Sequence, residues 1–353
     1  MNIAKEISRL VAENKVFTDI RIEQDQPFVW HVPGGWEPTG VGRVTREDIK
    51  EFLQGIDPQW EAQIKGRALE RTLSTTSCRL RCNVYTTHRA SKINLVIRKH
   101  PMKPATPAEL GIPNALTEMI GYAKGLVIVT GPTGAGKTTT IASMLQHLNS
   151  LRPMHIVTVE DPIEFQLKPD KAVISQKEVP HDVPTFAEGL RESLRQKPNV
   201  IMIGEVRDKD TAETMFYAAE SGHLVIGSMH TNSAEGALSK ILSFFPGEHE
   251  ARMHGLSLNL LAVLCQVLVP SKDRKRFSMA SEVLFNSPKI AKAIQEGRFS
   301  DIRQIMEDGS DGINRHLNSA LAAMVADNVI SSQDAIRATY NSQGLETLIG
   351  DVL

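Results

Sequence analysis

The stretch VTGPTGAGKTTT, Val129 to Thr140, decides the architecture of this chain. Before it stands an apolar run, Leu126-Val127-Ile128-Val129, which reads as a buried strand because it is short, β-branched and free of polar interruption. After it, TIASMLQHLNS carries Ile141, Met144, Leu145 and Leu148 at helical spacing. The order is strand, glycine-rich turn, helix. Gly131, Gly136, Lys137 and Thr138 complete the P-loop pattern, and each position has a physical reason. Glycines let successive N–H groups, together with the positive end of the helix, converge on phosphates. Lys137 brings a mobile charge to the β- and γ-phosphates, and the Thr138 hydroxyl can ligate Mg²⁺. The expected nucleotide cradle is Gly131, Pro132, Thr133, Gly134, Ala135, Gly136, Lys137, Thr138 and Thr139, with ATP and Mg²⁺ as cofactors.

Outward from this point the chain divides. Its 353 residues exceed an ordinary single domain, and 41% hydrophobic with 23% charged residues suffices for full cores. Residues 1–100 mix an amphipathic N-terminal helix, short alternating stretches such as FTDIRIEQ and KINLVIRK, and the turn signal HVPGGWEPTG, which describes a small α+β domain. Pro101, Pro104, Pro107 and Pro113 then crowd one segment, where fixed φ angles and missing donors disfavour a continuous helix or central strand; residues 101–114 read as a linker. From 115 to 286, apolar strands (GLVIVT, HIVTVED, NVIMIGEVRD, HLVIGSMH) alternate with amphipathic helices, implying an α/β fold with a mainly parallel sheet covered on both faces. Residues 287–353 read as a helical subdomain. Leu256 to Val269, the most apolar segment, is shorter than a membrane span and reads as a packed interior helix.

A net charge of -1 gives no global argument for nucleic acid or an anionic membrane. Cys78, Cys82 and Cys265 are too few and scattered for a disulfide framework or a four-ligand zinc site, which fits a reducing cytoplasm. The N-terminus lacks the apolar core of a signal peptide. Of the three tryptophans, Trp30, Trp36 and Trp60, burial in the core is expected over a contact surface.

In open α/β sheets ligands sit at the carboxyl ends of strands. The second strand runs into Glu160-Asp161-Pro162-Ile163-Glu164, a supply of carboxylates for orienting water and for holding Mg²⁺ through its waters. The third ends in Glu205-Val206-Arg207-Asp208, with Gly204 where a simple Walker B strand has Asp, so Glu205 suggests water activation more than metal ligation. Asp208 could hold Arg207 in a structural pair. The fourth strand starts at His223 and ends at His230; the two do not share a site automatically, and His230 is the stronger candidate for sensing a γ-phosphate. Glu160, Asp161 or Glu205 could support the metal beside Thr138, directly or through water.

These boxes carry a resemblance. GPTGAGKTTT, VEDPIEF, IMIGEVRD and AAESGHLVIGSMHT resemble the four signatures of the secretion and type IV pilus ATPase superfamily, in its PilT-like branch, and stand in the family's order over about Gly125 to Asn232. FTDIRIE, RLRCN and VIRKHP are similar to its N-domain strands. The resemblance implies a RecA-like core, a PAS-like N-terminal domain, and homohexameric rings that bind nucleotide between the two lobes and the next subunit. It also implies catalytic roles for Glu164, Glu205, His223 and His230, and arginines reaching the triphosphate at Arg81 and Arg98, with a pair at Arg191 and Arg195 one helical turn apart. It further implies a motor in the cytoplasm, peripheral to the inner membrane, docked on a platform protein of a pilus or secretion assembly. The four-cysteine zinc module usual in extension and type II secretion ATPases is missing, which favours the retraction or type IV secretion branches; KIAKAIQEGR, Lys289 to Arg298, keeps only part of the retraction motif. The ending GLETLIGDVL leaves room for a DotB-like or plasmid-encoded secretion ATPase. A nucleic-acid motor is a further alternative, its best footprint the basic SKDRKRF at Ser271 to Phe277, but no nucleic-acid partner is expected with aromatics at 5%.

Overall fold

A computed structural model describes all residues except Asn14, Thr76, Ser77, Ser310, Asp311 and Asp351–Leu353, so the last three residues of the GLETLIGDVL ending lie outside it. The chain forms two compact units: Met1–Met102 with Asp273–Phe277, and Lys103–Lys272 with Ser278–Leu353. The division falls at Met102, inside the proline-rich stretch.

The first unit runs α1 (Ile3–Ala12), β1 (Asp19–Glu23), β2 (Pro27–Val32), β3 (Gly35–Arg43), α2 (Arg46–Ile56), α3 (Trp60–Gln63), β4 (Leu69–Ser74), β5 (Cys78–Thr87) and β6 (Lys92–Pro101). The strands form one sheet in the order β3-β2-β1-β6-β5-β4, antiparallel throughout. Asn2 caps α1, and Thr45 with Asp48 forms a reciprocal capping box on α2. Period-two alternation sends Leu80, Cys82 and Val84 of β5, with Leu95 and Ile97 of β6, into one core with Ile3, Ile7 and Leu10 of α1. Trp30 and Trp60 are buried there, whereas Trp36 is 53% exposed and departs from the expected core placement.

The second unit continues with α4 (Pro107–Leu110), α5 (Asn114–Tyr122), β7 (Gly125–Thr130), α6 (Lys137–Leu151), β8 (His155–Glu160), β9 (Val173–Glu178), α7 (Phe186–Ser193), β10 (Val200–Ile203), α8 (Lys209–Glu220), β11 (Leu224–Met229), α9 (Ala234–Ser243), α10 (His249–Asn259), β12 (Leu260–Pro270), β13 (Phe277–Phe285), α11 (Pro288–Gln295), α12 (Phe299–Asp308), α13 (Leu317–Ala326), α14 (Ser332–Ala338) and α15 (Ser342–Gly350). Its sheet has the order β13-β12-β7-β11-β10-β8-β9, parallel from β12 to β9. Every residue of β7, β10 and β11 is buried, as strands covered on both faces require. One face packs on α5 and α6, the other on α7 to α12. The last helices, α13 to α15, close a separate core over the far ends of β12 and β13.

One sequence expectation fails here. Leu256–Val269 is not a single helix: α10 stops at Asn259 and the rest is β12 beside β7. The run Leu260-Leu-Ala-Val-Leu-Cys-Gln-Val-Leu-Val269 is apolar on both faces, so periodicity alone cannot separate a buried strand from a buried helix. Among the described residues no helix is long and apolar enough to cross a membrane.

Candidate functional site: a phosphate-binding loop between two strands

Because β7 lies between β12 and β11, the turn that follows it is flanked by the carboxyl ends of both neighbours. Gly131 approaches β12 so closely that a Cβ there would stand 2.3 Å from the Gln266 carbonyl, at a φ of 148° that side-chain-bearing residues rarely adopt. The Gln266 side chain, buried in β12, donates from Nε2 to the Ala135 carbonyl at 2.6 Å and fixes the crown of the loop. On the other side the Thr130 hydroxyl stands 2.8 Å from the Thr231 hydroxyl and accepts from the Thr231 N–H at 2.9 Å, tying the loop strand to the segment after β11. Neither Gln266 nor this threonine pair was singled out from sequence; the one available signal was a glutamine in an otherwise apolar run.

Lys137 opens α6 with its ammonium folded back on the loop, donating to the carbonyls of Gly131 at 2.8 Å and Pro132 at 3.1 Å, with His230 Nδ1 at 3.3 Å. Burial pulls its amine below the ordinary lysine range, while the charges of Glu205 and Glu164 oppose that shift. His230 Nε2 in turn stands 3.8 Å from Glu205 Oε1. Burial, and then the charge on Lys137, hold the imidazole below its ordinary value, with Glu205 opposing. Lys137, His230 and Glu205 therefore form one cluster at the ends of β7, β11 and β10.

The acidic box is split by its environment. Glu160, the last residue of β8, is buried and accepts at Oε1 from Thr158 Oγ1 at 2.6 Å and Gln176 Nε2 at 3.1 Å. Burial raises its carboxyl, and Glu164 and Glu178 add to the effect. Glu160 shares a small pocket with Thr138, Phe165, Gln176 and Met202. Asp161 is exposed, and Glu164 is half-buried on the loop that follows. Gly204 stands where a Walker B aspartate would because its Cα approaches the neighbouring backbone: a Cβ would meet the Val159 carbonyl at 3.1 Å and the Glu160 Cα at 3.2 Å. Glu205, one residue later, carries the carboxylate instead.

The other sequence candidates have partners of their own. His223 precedes β11 at its opposite end, about 20 Å from His230 by strand rise, with Nδ1 3.0 Å from the Ala218 carbonyl and 3.2 Å from Ser221 Oγ. Asp208 does not pair with Arg207: it caps α8, accepting from the Thr211 N–H at 2.8 Å. Arg207 stacks over Phe186 at 5.6 Å and stands 3.9 Å from Glu205. Arg191 is in α7, but Arg195 falls in a 3₁₀ turn, Leu194–Gln196, so the pair does not share one regular helix. In the first unit, Arg81 and Arg98 are direct partners across β5 and β6. Arg81 bonds Glu70 at 2.7 Å and Arg98 bonds Asp19 at 2.9 Å, which offsets the repulsion of like charges set opposite each other.

A profile of the type II/IV secretion system protein family matches residues 57–347. The type IV pilus retractation ATPase PilT of Pseudomonas aeruginosa is 35% identical over 82% of this chain and 80% of its own length. A twitching motility protein of Neisseria gonorrhoeae is 34% identical over 89% of this chain and 84% of its own length. The crystal structure of the pilus retraction motor PilT with bound ADP superposes with a TM-score of 0.83 at 30% identity, covering 98% of this chain and 99% of that one. The ATPase DotB of Legionella pneumophila, 24% identical, shares the fold with a TM-score of 0.84 over 95% of both chains. With the phosphate loop, the split acidic box and the His230–Glu205 pair in place, this chain belongs to the type II/IV secretion system protein family.

Proposed function

We propose that the chain is a subunit of a homohexameric, Mg²⁺-dependent ATPase that drives retraction of a type IV pilus. The observation that carries the reading is the cluster of Lys137, His230 and Glu205. A lysine resting on its own loop carbonyls is poised to exchange them for phosphate oxygens, and a histidine and a carboxylate from two other strands stand directly behind it. Glu205 or Glu164 would orient the attacking water, His230 would contact the γ-phosphate, and residues Gly131 to Thr139 would cradle the triphosphate.

Thr138 and Glu160 line one pocket, and among the described residues no three His, Cys, Asp or Glu side chains gather as a metal cage. That donor set fits Mg²⁺, which is held by a hydroxyl, phosphates and retained waters. The ion would neutralise developing charge on the phosphates. Arg191, Arg195 and His223 of the second unit, with Arg81 and Arg98 of the first, would serve interfaces of the ring. The PAS-like character of the first unit, the cytoplasmic location and docking on an inner-membrane platform protein belong to the same proposal. Retraction is preferred to a DotB-like role because the relative named for pilus retraction is 35% identical over 80% of its own length, whereas the DotB likeness, at 24% identity, is one of fold.

The test is ATP turnover per subunit against protein concentration, without acceptor or nucleic acid. Specific activity should rise to a plateau as the ring assembles. Turnover independent of concentration across the oligomer transition, followed by mass, would show that each chain is complete alone and would overturn the ring mechanism.

A further inference from the structure

Away from the phosphates, the second unit buries a carboxylate between its sheet and its last helices. Glu282 of β13 and His316, which caps α13, are 1% and 3% exposed. Both Glu282 oxygens are occupied. Oε1 accepts from the Ala234 N–H at 2.6 Å; Oε2 accepts from the Leu317 N–H at 3.2 Å and from the Tyr340 hydroxyl at 2.7 Å. Directions along the chain follow from its ends. The Asn318 N–H donates to His316 Nδ1 at 3.2 Å, so the neutral ring carries its proton on Nε2 and donates to the Tyr340 oxygen at 2.7 Å, leaving the tyrosine proton for Glu282. Burial and the Glu282 charge both push the Tyr340 phenol well above its ordinary range, so it stays a donor.

The other end of this chain is the functional site. Ala234 is the first residue of α9, and the four residues before it, His230 to Ser233, are the segment that carries His230 and that bonds Thr130 beside the phosphate loop. Thr130 pins this segment at one end and Glu282 at the other. A buried charged acceptor on a helix N-terminal amide is among the strong hydrogen bonds of a protein.

We propose that Glu282 is a positioning residue for His230, and that Tyr340, by orienting its carboxylate, makes the C-terminal helices part of the hydrolytic apparatus. The inference rests on the assignment of His230 to the ATP site. A second consequence is that ATP affinity, set by the loop itself, is independent of Tyr340.

Three variants of the full chain test it: Tyr340→Phe, Glu282→Gln and Glu282→Leu, with amide hydrogen exchange of the peptide over 229–238, kcat and KM for ATP. Tyr340→Phe should lower kcat about tenfold with KM changed less than twofold, and speed exchange in 229–238. Glu282→Gln, whose carbonyl still accepts from Ala234, should keep more kcat than Glu282→Leu. Wild-type kcat in Tyr340→Phe, or equal kcat in the Gln and Leu variants, would overturn the proposal. So would equal losses in kcat and nucleotide affinity with faster exchange throughout the C-terminal helices, the mark of a purely structural role. If the wild-type chain hydrolyses no ATP, the ATPase reading fails, and exchange at 229–238 alone decides whether Tyr340 reaches the His230 segment.

Discussion

His230 is the residue whose chemistry depends most on its surroundings. Its pKa lies below the reference 6.5 through burial first and the neighbouring Lys137 charge second. For a base whose folded pKa is depressed, the unfolded chain takes up the proton first. The stability this contributes is full above about pH 6.5 and is lost as pH falls through the lower folded value. At neutral pH the ring is therefore uncharged and can both accept and donate. The acid limb of kcat/KM, which reports the free enzyme, should accordingly lie below pH 6.5 and disappear in His230→Asn, which keeps a neutral donor and acceptor. An acid limb of unchanged position in that variant would remove His230 from the reaction.

Among the elements, α7 shows how closely the site's scaffold is packed. Gly189 faces β8, and a Cβ there would lie 2.9 Å from Val159 Cγ1 and 2.9 Å from Val183 Cγ2. Both neighbours are branched and buried, so neither can swing aside. Gly189→Ala should therefore destabilise the second unit by about 2 kcal/mol despite the better helix propensity of alanine, measured by urea unfolding. A neutral or stabilising effect would mean that α7 can shift on the sheet. The capping-box spacing of Thr185 and Glu188 at the start of α7 is realised in one direction: Thr185 accepts from the Glu188 N–H at 3.2 Å, and the Glu188 carboxylate meets the Thr185 hydroxyl at 3.3 Å.

At the scale of the molecule, the arginine face of the first unit is the feature the ring reading needs. Arg81 and Arg98 stand side by side across β5 and β6, each paired with one carboxylate. Arg98→Ala should retain ATP binding and lose most turnover, at least tenfold, if this face completes a neighbouring site. Because the change also strips Asp19, which is 8% exposed, of its partner, Asp19→Asn serves as the control for stability. Full turnover in Arg98→Ala would exclude the arginine from the mechanism.

Much of this was legible in the sequence. The loop from Gly131 to Thr138 is local: its glycines, lysine and threonine act within one turn, so spacing specifies their chemistry. Strands buried on both faces, such as Leu126–Val129, announce themselves by composition, and the strand ends point to Glu160, Glu205 and His230. What the sequence by itself determined is thus the nucleotide loop, the alternating α/β order and the carboxylates at strand ends. Only the tertiary structure decided that Leu260–Pro270 is a strand, since its fate depends on the open edge of β7 and not on its own periodicity. It likewise decided that Glu160 is a buried, hydrogen-bonded acid, that Gln266 fixes the phosphate loop, and that Glu282 joins α9 to Tyr340. Each of these is a long-range hydrogen bond between groups far apart in the chain, and burial, which makes such bonds both strong and necessary, exists only once the sheet has formed.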